Sequence, residues 1–222
     1  GLGDVYKRQG KYFATATVRK DDTSRFASAT ADAIFPSVSG AWLASSEDWF
    51  DSSVFDTLKI RASYGELGNQ QIGGSNLDVN ISNLSEGSGF YAFSGSGGAT
   101  AGAVIASKGN PLLTWETMTS TNFAFDMGFL DNKLTATIDV FSNETTGLVA
   151  QDTQKISTTA IDAAAPYTNL GSMKSTGFDL SLNYSDTTSS GVTYAINANA
   201  TRAKNEVTEL ISEFYSGGSQ RI

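Results

Sequence analysis

The run Phe123-Ala124-Phe125-Asp126-Met127-Gly128-Phe129, the turn Leu130-Asp131-Asn132-Lys133 and the return Leu134-Thr135-Ala136-Thr137-Ile138-Asp139-Val140 decide the fold. Phe123, Phe125, Met127 and Phe129 share one face of the first run. Leu134, Ala136, Ile138 and Val140 share one face of the second. Side chains of a strand point alternately to its two faces, so a period of two makes one side apolar and the other polar. The stretch therefore predicts a hairpin of two half-greasy strands.

The same period recurs outward in both directions. Leu58, Ile60, Ala62 and Tyr64 alternate with Lys59, Arg61, Ser63 and Gly65, and Phe178, Leu180, Leu182 and Tyr184 with Asp179, Ser181, Asn183 and Ser185. Val192, Tyr194, Ile196, Ala198 and Ala200 repeat it, with weaker versions at Tyr12–Val18 and Val38–Trp42. The runs suit the roughly 9–11 residues that a tilted strand needs to cross a bilayer. The second face carries Lys59, Arg61, Asp126, Asp139 and Asp179, which suits a wet lumen and not a sandwich core. Connections at 130–132 and 186–191 are short and that at 46–57 is longer, whereas those at 21–36, 66–117 and 144–175 are long. Short turns on one side and long loops on the other is the layout of an outer-membrane barrel, with turns in the periplasm and loops outside. The expected fold is all-β: an antiparallel transmembrane β-barrel, present as an incomplete arc of about seven strands.

Composition narrows the function. A net charge of −8 over 222 residues argues against nucleic acid as a partner, since phosphate binding draws on clustered Lys and Arg. With no Cys there is neither a disulfide nor a thiolate metal site. With no His there is no histidine base for catalysis. Glu116 and Asp139 are available as a glycosidase-like carboxylate pair, but nothing in their spacing singles them out. The chain is read as no enzyme, with no cofactor and no metal; Asp21 and Asp22 fit a solvated turn better than a calcium site.

Five segments argue together: Arg19-Lys20-Asp21-Asp22-Thr23-Ser24-Arg25-Phe26, Phe35-Pro36-Ser37-Val38-Ser39-Gly40-Ala41-Trp42, Leu58–Gly65 with Gly68-Asn69-Gln70, Gly109-Asn110-Pro111-Leu112-Leu113-Thr114-Trp115-Glu116, and Asn169-Leu170-Gly171-Ser172-Met173 leading to Gly177-Phe178-Asp179. In this order and spacing they resemble the C-terminal barrel region of SusC/RagA-type TonB-dependent outer-membrane transporters of Bacteroidetes, from about Tyr12 to Leu210. The departures are small: the family usually has glycine near Asp22 and after the Arg-Phe pair, where Ala27 stands, and tends to glutamate at Asp179. The resemblance implies a plugged parent barrel of about 22 strands in the outer membrane of a Gram-negative bacterium. It implies import of oligosaccharides or peptides, a SusD-like surface lipoprotein partner, and coupling to TonB through a plug and N-terminal region outside this piece. Residues 10–222 are then partial barrel, without plug or signal peptide. Gly1–Gln9 resembles a sequencing-adapter read-through and is expected to be non-native.

Within that frame Asn69, Gln70, Phe90, Tyr91, Phe93 and Trp115 of the long loop are candidates for substrate or lipoprotein contact. The competing reading is that these aromatics pin the loop, with Trp115 an outer-interface anchor. Lys59 and Arg61 face the lumen, where they would meet the plug or an anionic substrate, or be balanced by Asp126 or Asp139. Tyr12, Trp42, Tyr184 and Tyr194 fall near the short-turn ends, as an inner aromatic girdle would. The alternative fold is a secreted β-sandwich that binds glycans. It requires two stacked sheets in place of one curved wall.

Overall fold

The computed structural model describes residues 2–8, 10–72, 79–91, 100–151 and 163–210. Ten strands follow one another: β1 (Leu2–Arg8), β2 (Tyr12–Asp22), β3 (Asp32–Leu43), β4 (Thr57–Asn69), β5 (Asn83–Tyr91), β6 (Thr100–Ser107), β7 (Glu116–Phe129), β8 (Leu134–Gln151), β9 (Tyr167–Thr187) and β10 (Thr193–Leu210). Eight form one sheet in the order β1-β2-β3-β4-β7-β8-β9-β10, and β5-β6 form a separate hairpin. Every pairing in both sheets is antiparallel. The large sheet is an open arc, because its end strands β1 and β10 do not pair with each other. It is a partial barrel wall, and the second sheet that a sandwich requires is reduced to the β5-β6 hairpin.

All seven expected strands are present, as β2, β3, β4, β7, β8, β9 and β10. The eighth is β1, formed by residues 2–8. Register keeps the two faces apart across the wall. Phe123 lies opposite Ala62 on β4 and Val140 on β8, and Val140 lies opposite Phe178 on β9. Phe123, Val140 and Phe178 are 44 %, 51 % and 39 % exposed, which is the outcome expected where lipid, not protein, covers an apolar face. The polar face holds three shallow grooves of about 380, 270 and 290 Å³, lined largely by Ser, Thr, Asn and the wall's charged residues. The wall is therefore concave on its polar side.

Strand length departs from expectation. β8, β9 and β10 run for 18, 21 and 18 residues, well beyond the bilayer. The loops correspondingly shrink from 144–175 to 152–166 and from 21–36 to 23–31. The added segments, such as Asn143-Glu144-Thr145-Thr146 and Lys204-Asn205-Glu206, keep the ladder but carry polar side chains on both faces. They lose the alternation that reveals a strand in sequence. At the other end the β7-β8 turn is tight, with Leu130, Asp131 and Asn132 at φ of 57°, 58° and 59°. The Asn132 carboxamide oxygen accepts from the Thr57 hydroxyl (2.9 Å), and the Asn132 backbone N–H donates to Asp56 (3.1 Å), which ties the turn to the start of β4.

Candidate functional site

The polar face of the wall concentrates its charge on neighbouring strands. Arg61 on β4 lies opposite Ala124 on β7, which in turn lies opposite Asp139 on β8. Ala124 is fully buried, and so small a side chain lets the guanidinium reach across it. Arg61 donates from Nε and Nη2 to the two Asp126 oxygens at 2.8 and 2.9 Å, and from Nη2 to Asp139 Oδ2 at 3.3 Å. Thr137 adds a hydroxyl donor to Asp126 Oδ1 (3.2 Å). Of the two balancing carboxylates considered for Arg61, both are engaged. Asp139 Oδ1 is buried and receives no hydrogen bond. Asp179 stands directly opposite Asp139 in register, and both line the groove with Thr137, Ser181, Asn199 and Thr201. Lys59 points elsewhere, its ammonium 5.4 Å from the Phe13 ring centroid. This is an ion-paired wall on which Asp139 and Asp179 sit side by side on adjacent strands.

At the short-turn end the expected aromatics gather. Tyr12 lies opposite Trp42 in register, Trp42 stacks obliquely on Trp49 (6.1 Å), and Tyr184 and Tyr194 are 6.0 Å apart. Sequence reading missed what fixes Tyr12 and Trp42. Glu47, in the β3-β4 link, accepts from Tyr12 (2.6 Å), Trp42 Nε1 (3.1 Å) and Lys11 (3.1 Å). Those donors, Tyr12 foremost and then Trp42 and Lys11, hold the Glu47 carboxyl below its ordinary range. A single Glu in a loop carries no motif, so only coordinates bring these partners together.

At the long-loop end the candidates separate. Trp115 is 7 % exposed. Its ring packs edge-on against Phe26 (5.6 Å) and Phe35 (5.5 Å), and its indole N–H donates to Ala31 O at 3.1 Å. With Ile72, Val79 and Leu113 these rings form a small aqueous-side core. Gly68 belongs to it too, since the Phe35 ring lies where a Cβ would stand. Trp115 thus pins the loop. Asn69 is exposed, its Nδ2 donating to Glu116 (3.3 Å) and its Oδ1 accepting from Gln71 N–H (2.9 Å). Exposed Gln70 offers its carbonyl to Arg25 (3.5 Å). Phe90 and Tyr91 belong to β5, but their side chains, and the whole of Phe93, lie outside the described residues.

The model of the TonB dependent receptor-like β-barrel matches residues 2–218. The chain belongs to the TonB-dependent receptor family. Family members of this kind are outer-membrane proteins of Gram-negative bacteria, and the wall described above is a piece of such a barrel. The chain is 28 % identical over 223 residues to TonB-dependent receptor SusC of Bacteroides thetaiotaomicron, covering 98 % of this chain and 22 % of that protein. It is 29 % identical over 207 residues to TonB-dependent receptor P3 of Formosa agariphila, covering 92 % and 20 %. Among solved structures, the RagAB peptide importer matches in its "closed-closed" state with a TM-score of 0.79 at 25 % identity, covering 96 % of this chain and 22 % of that one. Its "open-open" state matches with 0.77 at 26 %, covering 97 % and 22 %. The chain therefore spans about a fifth of the length of these relatives.

Proposed function

We propose that this chain is one arc of an outer-membrane importer that takes up oligosaccharides or peptides, powered through TonB and working with a SusD-like surface lipoprotein. The observation that carries the proposal is a barrel wall similar along nearly its whole length to SusC and to the RagAB peptide importer. In this reading the Ser- and Thr-rich concave wall, with Lys59, Arg61, Asp126, Asp139 and Asp179, faces the lumen and the plug supplied by the rest of the protein. Asn69 and Gln70, together with Phe90, Tyr91 and Phe93, belong to the outer rim, where cargo or the lipoprotein would arrive. Residues 10–222 are barrel in this reading, and residues 1–9 non-native sequence.

The test is uptake by cells carrying the complete receptor gene, using fluorescent oligosaccharides and fluorescent peptides in parallel. Uptake of one class should vanish when the receptor is deleted and when TonB is inactivated, and a lipoprotein should co-purify with the receptor. Unchanged uptake of both classes after deletion would overturn the proposal.

A further inference from the structure

The outer ends of β2–β3, β4–β7 and β8–β9 carry three separate loops, yet their described parts are fastened to one another at every junction. Loop 23–31 is held to the end of loop 70–115 by Thr30, whose hydroxyl donates to Leu113 O (2.8 Å), and by the Trp115 indole on Ala31 O (3.1 Å). Loop 70–115 is held to the β8–β9 side by Asn110, whose Nδ2 donates to Tyr167 O (2.8 Å). Ala164 N–H donates to Ala106 O (2.8 Å), and Lys108 N–H to Ala164 O (3.3 Å). The strongest joint is at Asn169. Its Oδ1 accepts from Thr114 N–H (3.0 Å), while its Nδ2 donates to Thr114 O (3.0 Å) and to Gly147 O (2.7 Å). One carboxamide thus pairs with the backbone of one loop as a strand neighbour would, and also grips β8.

The backbone is shaped to admit that carboxamide. Gly147 has φ of +66° and sits where the β8-β9 register shifts between Thr146 and Leu148. A Cβ at Gly147 would lie 3.2 Å from Trp115 O and 3.3 Å from Asn169 Nδ2. A side chain there would be strained by its φ and would crowd the joint. Leu113 and Leu170, the immediate neighbours of Thr114 and Asn169, are the two largest fully buried side chains, so the polar joint is backed by packing.

We propose that the described parts of these loops form a single cooperative unit keyed by Asn169 and Gly147, so that local opening releases them together and not loop by loop. Three of these bonds share the single Asn169 carboxamide, so a local opening that breaks the key must release every loop it holds. The device does not depend on which cargo the importer carries.

Hydrogen exchange by mass spectrometry on the full-length receptor tests it. Asn169→Ala should accelerate exchange about tenfold, the loss of roughly one well-placed hydrogen-bond set. It should do so at Thr114, at Ala164, and also at Thr23 and Thr30, which lie in a loop joined to Asn169 through Leu113 and Trp115. Thr30→Val, cut from the far side, should accelerate Thr114 and Ala164, because coupling between two sites is reciprocal. Acceleration confined to the mutated loop in both variants would overturn the proposal. If Asn169→Ala fails to give the heat-shifted band of a folded barrel, Thr30→Val, which leaves the wall untouched, decides the matter alone.

Discussion

Replacing Arg61 with Met removes a cation while keeping most of its apolar stem, and the wall geometry sets the cost. The guanidinium makes two short bonds to Asp126 and one longer bond to Asp139. The side chains of Arg61, Asp126 and Asp139 are 35 %, 31 % and 22 % exposed, so the cluster is neither a surface pair nor a dry one. Exposed pairs contribute about 0.2–1 kcal/mol, whereas breaking a buried pair costs about 3–5 kcal/mol because the partner is left charged and alone. Here two carboxylates are left, with Asp179 opposite one of them, and about 2 kcal/mol is the expected loss. That corresponds to a roughly thirtyfold change in the folding equilibrium. Arg61→Lys should lose less, keeping charge but not the two-pronged geometry, and adding Asp126→Asn to Arg61→Met should recover about half. The assay is urea unfolding of the full-length receptor in detergent, with the folded barrel checked by its heat-shifted migration. A loss below about 0.5 kcal/mol for Arg61→Met, or no recovery in the double variant, would refute the claim that the wall needs this cation.

Two further outcomes follow from the two faces and the inner end. Phe123→Arg, on the apolar face, should destabilise the barrel in lipid vesicles by about 2–4 kcal/mol if the position lies near the bilayer midplane. Asn122→Arg, one residue away and lining the 270 Å³ groove, should cost little; equal penalties would contradict the face assignment. Glu47, in the β3–β4 link, titrates below its ordinary value of 4.5 in the folded protein because Tyr12, Trp42 and Lys11 bond its charged form. Its contribution is therefore present above about pH 4.5 and is lost as pH falls through the lower folded value. Wild type should lose more stability on acidification below that range than Glu47→Gln, read as unfolding midpoint against pH; parallel curves would count against the Glu47 clamp.

The wall was legible because a bilayer imposes a strict alternation on each strand it covers. Phe123-Ala124-Phe125-Asp126-Met127 announces a strand, its length in lipid and its two faces at once. The same rule explains what could not be read. Farther out, Lys174–Thr176 on β9 and Lys204–Glu206 on β10 are as much strand as the rest, but polar side chains on both faces remove the apolar half of the signal. Trp115 was open to readings as a contact, as a residue that pins the loop or as an outer-interface anchor, and its place among Phe26 and Phe35 depends on partners 80 or more residues away in sequence. Asn169 and Gly109–Glu116 were visible as segments of a family pattern. Their hydrogen-bonded union was not, since a shared joint leaves no periodicity in either segment.

The rim and the wall are stabilised by different physics, and this separates the consequences of damage to each. The wall meets lipid on one face, so apolar exposure of Phe123, Val140 and Phe178 costs nothing there, and its own ladder of backbone bonds holds it. The rim stands in water. It must supply a dry core of its own from Phe26, Phe35, Leu113 and Trp115 and satisfy its loop backbone with side chains such as Asn110 and Asn169. Trp115→Ala should therefore cost the rim a buried aromatic, a loss of about 3–5 kcal/mol in a compact core, while the barrel still folds and still shows its heat-shifted band. Rim exchange would rise and wall exchange would stay. A variant that unfolded rim and wall together would mean that the aqueous core reaches down into the membrane sheet and that the two are one cooperative unit.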